Sequence, residues 1–102
     1  MAHILITSGP TRQYLDPVRY LTNASSGRMG AALAEASLAR GHQVTIVSGP
    51  VAIDYPPEAR VFPVTSTEEM LATCQDVFTE CCGVIGAAAP CDYRPQHVSS
   101  SK

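Results

Sequence analysis

A chain of 102 residues, 45% apolar and 16% charged, has the make-up of a soluble globular protein and the length of one domain with a single core. Its net charge of −2 leaves no basic surplus for a nucleic-acid backbone. No apolar run approaches the roughly 20 residues of a membrane span, and no signal-peptide pattern precedes the first strand, so a cytoplasmic protein without nucleic-acid or membrane partners is expected.

In chain order, Ile4-Leu5-Ile6 is too short and too continuously apolar for an amphipathic helix, and reads as a strand buried on both faces. A connection rich in Gly, Ser, Asn and Arg follows, far longer than the about 2–6 residues that join a strand to a helix. Residues 27–40 read as a helix with Met29, Leu33, Ala36 and Ala39 on its apolar side and Gly41 just past its end. Val44-Thr45-Ile46-Val47 is a second strand, stopped by Ser48-Gly49-Pro50. Residues 51–59 form a loop, since Tyr55-Pro56-Pro57 cannot continue regular structure.

Val61-Phe62-Pro63-Val64 is a third strand, confined to a sheet edge because Pro63 has no N–H to donate. Ser66-Thr67-Glu68-Glu69 is a capping box that opens a second helix, with a stripe of Met70, Cys74, Val77, Phe78 and Cys81. That stripe assigns Cys74 and Cys81 to packing, and no cysteine spacing fits a Cys-x-x-Cys pair or a zinc ligand set. Residues 83–88 make the fourth strand. The order β-α-β-β-α-β predicts an α/β fold, a Rossmann-like three-layer sandwich whose parallel sheet of about four strands runs 3-2-1-4. Residues 1–95 form that domain, and 96–102 a flexible tail.

Ligands of such sheets sit outside the C-terminal strand ends where the winding reverses, here between the first and fourth strands. The chemically richest segments, residues 8–30 and 88–95, emerge there. Ser25-Ser26-Gly27 brings backbone amides to a helix N-terminus, where the orphan donors and the helix dipole favour a phosphate. Arg12, Arg19 and Arg28 add positive charge to the same stretch. Neither common nucleotide motif fits. Serine stands at the first glycine position of Ser25-Ser26-Gly27-Arg28-Met29-Gly30, the run lies well beyond the strand, and Ser48-Gly49 replaces the expected ribose carboxylate. No Gly-Lys-Ser/Thr completes a P-loop. Asn23, taken alone, also suits a left-handed turn, and Asp92 a turn beside Tyr93-Arg94-Pro95. His3, His42 and His97 share no spacing and are assigned no chemistry. Tyr14 and Tyr20 are assigned to packing of the loop.

The runs Ile6-Thr7-Ser8-Gly9-Pro10-Thr11-Arg12, Asp16-Pro17-Val18-Arg19-Tyr20 and Asn23-Ala24-Ser25-Ser26-Gly27-Arg28-Met29-Gly30, with Val47-Ser48-Gly49-Pro50, resemble phosphopantothenate–cysteine ligase. This is the phosphopantothenoylcysteine synthetase of coenzyme A biosynthesis, in many bacteria the C-terminal half of a bifunctional flavoprotein. Ala87-Ala88-Ala89-Pro90-Cys91-Asp92-Tyr93-Arg94-Pro95 is similar to that family's Ala-Ala-x-x-Asp-Tyr signature. The resemblance implies CTP, with Mg²⁺, as the nucleotide that activates 4′-phosphopantothenate for cysteine. It puts Asn23 on the residue that handles the acyl-cytidylate. Gly9, Ser26, Gly27, Arg28, Met29, Ala88, Asp92 and Lys102 fall on nucleotide-binding positions, and no residue on a protein metal site. A homodimer is implied, with a phosphopantothenoylcysteine decarboxylase flavoprotein as a further partner. Gln13 departs from the family's usual glutamate, and Pro90-Cys91 from a small apolar pair. The chain matches the N-terminal half of a ligase domain, as a fragment or a short form. The rival readings are a non-catalytic nucleotide-binding remnant or interaction module, and third an NAD(P)-dependent oxidoreductase.

Overall fold

In the computed structural model, which describes residues 2–14, 17, 20–22 and 26–88, β1 (His3–Ser8) runs through the middle of a four-stranded sheet. Its neighbours are β4 (Gln43–Ser48) on one side and β6 (Gly83–Gly86) on the other, and β5 (Arg60–Pro63) lies beyond β4. All three pairings are parallel. The sheet order β5-β4-β1-β6 is the predicted 3-2-1-4 when these four strands are counted alone. Pro63 falls on the edge strand, as its missing N–H demands.

The two-residue period of the strands sorts their side chains into two cores. Ile6 and Ile46, paired in register, join Val44 and Ala34 on the side of α1 (Arg28–Ala39). Leu5 and Val47 join Val64, Met70 and Val77 on the side of α2 (Thr67–Phe78). Each fully buried aliphatic side chain contributes about 1.5–3 kcal/mol, so these central strands anchor the strand ends that carry the site.

Four expectations change. The long connection after β1 is not all loop: β2 (Arg12–Tyr14) and β3 (Tyr20–Thr22) form an antiparallel ribbon. The ribbon is held to the α2 side. Arg12 N donates to Thr65 O at 2.6 Å, Thr11 Oγ1 lies 2.8 Å from Thr67 Oγ1, and Gln13 Nε2 donates to Glu68 Oε2 at 3.2 Å. The buried face of α1 is Gly30, Ala34 and Ser37, flanked by Leu33 and Leu38, whereas Met29, Ala36 and Ala39 are exposed. The cause is proximity: a Cβ on Gly30 would overlap the Ser8 side chain, so the face against β1 is built from small residues. On α2, Met70 and Val77 are buried and Cys74 and Cys81 half-buried as expected, but Phe78 is 55% exposed. Phe78 overhangs a depression against Leu5, Cys74 and Val84 at the β6 side of the sheet. The fourth strand is shorter than expected, ending at Gly86. The expected tail, 96–102, lies outside the described residues.

Candidate functional site

Three glycine turns meet where β1 and β4 end. Gly9 follows β1 with φ 76°, Gly27 caps α1 with φ 79°, and Gly49 follows β4. A Cβ on Gly9 would lie 2.8 Å from Val51 Cγ1 and 3.3 Å from Gly49 O. A Cβ on Gly49 would overlap the Pro10 carbonyl. The two strand-end loops therefore touch backbone to backbone, a closeness only glycine allows.

At this junction α1 begins with no side-chain cap and no acidic residue in its first turn. Its first internal bond is Ala31 N to Gly27 O, 3.0 Å, which leaves the amides of Arg28, Met29 and Gly30 ahead of it. Arg28 N approaches Ser26 Oγ at 3.4 Å. Helix α2 is closed by contrast. Ser66 Oγ accepts from Glu69 N at 3.1 Å, Glu69 Oε1 accepts from Ser66 N at 3.0 Å, and Glu68 and Glu69 add negative charge. Among the described residues, the helix N-terminus at the strand ends is open to an anion and that of α2 repels one.

The turn stands on a cluster of hydroxyls. Tyr55 Oη donates to Ser8 Oγ at 2.8 Å and lies 2.7 Å from Ser48 Oγ; Ser8 Oγ donates to Gly27 O at 3.4 Å. Ser8 and Ser48 are fully or almost fully buried. Beside this cluster a cleft of about 430 Å³ is lined by Arg12, Ser48, Gly49, Pro50, Val51 and Tyr55 among others. A slightly larger depression, about 450 Å³, includes His3, His42, Glu58 and Arg60 in its lining. It sits at the opposite, N-terminal ends of the strands. There His3 Nε2 lies 2.6 Å from Thr45 Oγ1, and His42 Nδ1 accepts from Ala2 N at 3.1 Å. Both imidazoles serve the fold.

Of the expected site residues, Gly9, Ser26, Gly27, Arg28 and Met29 converge on the open helix end; Ser26, Arg28 and Met29 are exposed there, Met29 by 69%. Ala88 follows β6 at the same end of the sheet, half-buried against the α2-side core, on the opposite face from α1. Asn23, Asp92 and Lys102 lie outside the described residues. Tyr55 is the residue that the sequence did not mark. Its only signal was an aromatic ring in a proline-bearing loop just after the Ser48-Gly49 turn. Burial, then Cys81, raises the pKa of Cys74, and burial, then Glu80 and Cys82, raises that of Cys81, which disfavours the thiolate at both positions.

The family model of the DNA/pantothenate metabolism flavoprotein C-terminal domain matches residues 1–102. The coenzyme A biosynthesis bifunctional protein CoaBC of Vibrio vulnificus (strain YJ016) is 46% identical over 105 residues, covering 97% of this chain and 25% of that protein. The crystal structure of the C-terminal domain of CoaBC superposes with a TM-score of 0.90 at 44% identity, over 95% of this chain and 49% of that one. The DNA/pantothenate metabolism flavoprotein from Streptococcus pneumoniae does so with a TM-score of 0.86 at 30% identity, over 93% of this chain and 42% of that one. The chain thus spans about a quarter of the curated relatives it matches and about half of the solved domain.

Proposed function

The chain belongs to the family of the DNA/pantothenate metabolism flavoprotein C-terminal domain, and from that premise we propose that it carries the nucleotide-binding half of a CTP-dependent phosphopantothenate–cysteine ligase. The observation that carries the proposal is the open N-terminus of α1, set among three glycine turns at the strand ends where a phosphate chain can approach the backbone. In the proposed reaction the 4′-phosphopantothenate carboxylate attacks the α-phosphorus of CTP. The bond to pyrophosphate breaks and an acyl-cytidylate remains. The cysteine amine then attacks the acyl carbon and CMP leaves, giving the amide.

In this reading the amides of residues 28–30 and the Arg28 guanidinium hold the triphosphate, which needs oriented donors and positive charge more than a nucleophile. Ser26 and Met29 border it from the exposed side. Asn23 donates from its side-chain amide to oxygen charge on the acyl-cytidylate, while Asp92 and Lys102 meet the ribose and the phosphates. Among the described residues no group of three or more His, Cys, Asp or Glu stands together. In this reading Mg²⁺ arrives on the triphosphate and keeps most of its waters. The substrates are small and water-soluble, in keeping with a cytoplasmic location. A homodimer, and a decarboxylase flavoprotein partner of the kind fused in bifunctional relatives, belong to the same proposal.

A second reading rests on the same open turn: a module that binds the nucleotide without turning it over. Equilibrium binding of CTP and of NADPH, each with Mg²⁺, together with a pyrophosphate-release assay, separates the readings. CTP is expected to bind in preference. Release of pyrophosphate in the presence of phosphopantothenate supports catalysis by this chain, binding without release supports the second reading, and preference for NADPH overturns both.

A further inference from the structure

The hydroxyl cluster beneath the Gly27 turn is tied to no step of the reaction above. Tyr55 comes from the loop that follows β4, and its ring packs half-buried against the α1-side core. Its hydroxyl is thereby delivered between the ends of the two central strands, 2.8 Å from Ser8 on β1 and 2.7 Å from Ser48 on β4. Three hydroxyls supply three protons. Tyr55 donates to Ser8, Ser8 donates to Gly27 O, and Ser48 has Gly49 O at 2.8 Å as its acceptor. The series therefore ends on the Gly27 carbonyl.

That carbonyl matters because it shares one peptide plane with the amide of Arg28. Whatever fixes the oxygen inward fixes the N–H outward, at the open end of α1. The oxygen accepts from Ala31 N at 3.0 Å within the helix, and Ser8 Oγ donates to its second lone pair from the sheet side; Gly27 adds no restraint of its own. It is in the left-handed region, has no side chain, and has the backbone freedom to reorient. A Cβ there would come within 3.0 Å of Tyr55 Oη, so the tyrosine also closes the space into which the turn would otherwise relax.

We propose that Tyr55 is a positioning residue for the phosphate turn: acting through Ser8, it holds the Gly27–Arg28 peptide so that the first amides of α1 point at the triphosphate. This rests on the nucleotide reading given above. A hydroxyl held in a buried series is more polarised than an isolated one, so its loss weakens the next bond as well.

Tyr55→Phe removes the hydroxyl and keeps the ring. Binding of CTP, CDP and CMP, each with Mg²⁺, is measured on the full chain before and after the change, alongside the thermal midpoint. The expected result is a loss of about five- to tenfold for CTP that shrinks through CDP to less than about twofold for CMP, the size of one hydrogen bond spent on the phosphates. Ser8→Ala interrupts the same series from the other side and is expected to show the same ordering, so an unfolded Tyr55→Phe chain does not end the test. A purely structural tyrosine would lower the midpoint and weaken all three nucleotides alike, and that outcome overturns the proposal. Unchanged CTP affinity in both variants overturns it too, while leaving the nucleotide reading intact. If the unaltered chain binds no triphosphate, the nucleotide reading falls and Tyr55 with it.

Discussion

At the scale of single residues, glycines set the geometry of the site, and they do so for different reasons. Gly30 has an ordinary helical backbone but no room: a Cβ would overlap Ser8. Gly41 has room, with nothing within 4 Å of a Cβ, but a left-handed φ of 84°. Alanine at each position separates the two costs. Gly30→Ala gains about 1 kcal/mol in helix propensity and loses more through overpacking, which typically costs about 1–3 kcal/mol and here also pushes α1 off β1. Gly41→Ala costs about 1–2 kcal/mol from backbone strain alone. Denaturant midpoints are expected to fall in both variants, whereas CTP binding falls only for Gly30→Ala, because Ser8 and the Gly27 turn move with the helix. Equal nucleotide affinities in the two variants would show that the contact of Gly30 with Ser8 does not set the turn.

Among the elements, the two helices begin in opposite ways, and this is where sequence was most and least legible. The start of α2 was readable at once, because a capping box is a local signal: Ser66 and Glu69 satisfy each other's amides within three residues. Ser66→Ala is expected to cost about 1 kcal/mol of stability, read as a lower urea midpoint, with CTP affinity unchanged because α2 takes no part in the site. The sheet was legible for a similar reason. Short β-branched runs and one proline fix four strands and an edge. The ribbon of β2 and β3 was not, because three-residue strands such as Arg12-Gln13-Tyr14 carry no apolar alternation, and their pairing depends on contacts with Thr65, Thr67 and Glu68 far along the chain. The packed face of α1 departs from the hydrophobic pattern, because hydrophobicity marks Met29 and Ala36, whereas close approach to β1 selects Gly30, Ala34 and Ser37. Of the site, the Ser26-Gly27 turn could be found as a pattern. Tyr55 could not, since its contacts with Ser8 and Ser48 exist only once the loop after β4 folds back over β1.

For the molecule as a whole, the two sheet edges differ in what they leave exposed. The β5 edge carries Pro63, which blunts pairing on its own. On the other edge β6 is short and has no outer neighbour among the described residues: Val84 is 50% exposed, beside Phe78 and near a depression of about 400 Å³ that also reaches Leu5 and Cys74. Leu71, seven residues before Phe78 and 60% exposed, extends the apolar stripe along the same side of α2. Neighbouring apolar groups of this kind are covered in stable proteins, since water gains by losing them. A second copy of the chain presents the same strand edge and the same stripe, so two copies can cover each other. Sedimentation across a range of concentrations is therefore expected to show reversible association. Val84→Lys, which sets a charge on that edge, is expected to shift the chain toward monomer while leaving CTP affinity unchanged, because the α1 turn lies on the other face of the sheet. Monomer alone at the highest soluble concentration would mean that this face does not pair with itself.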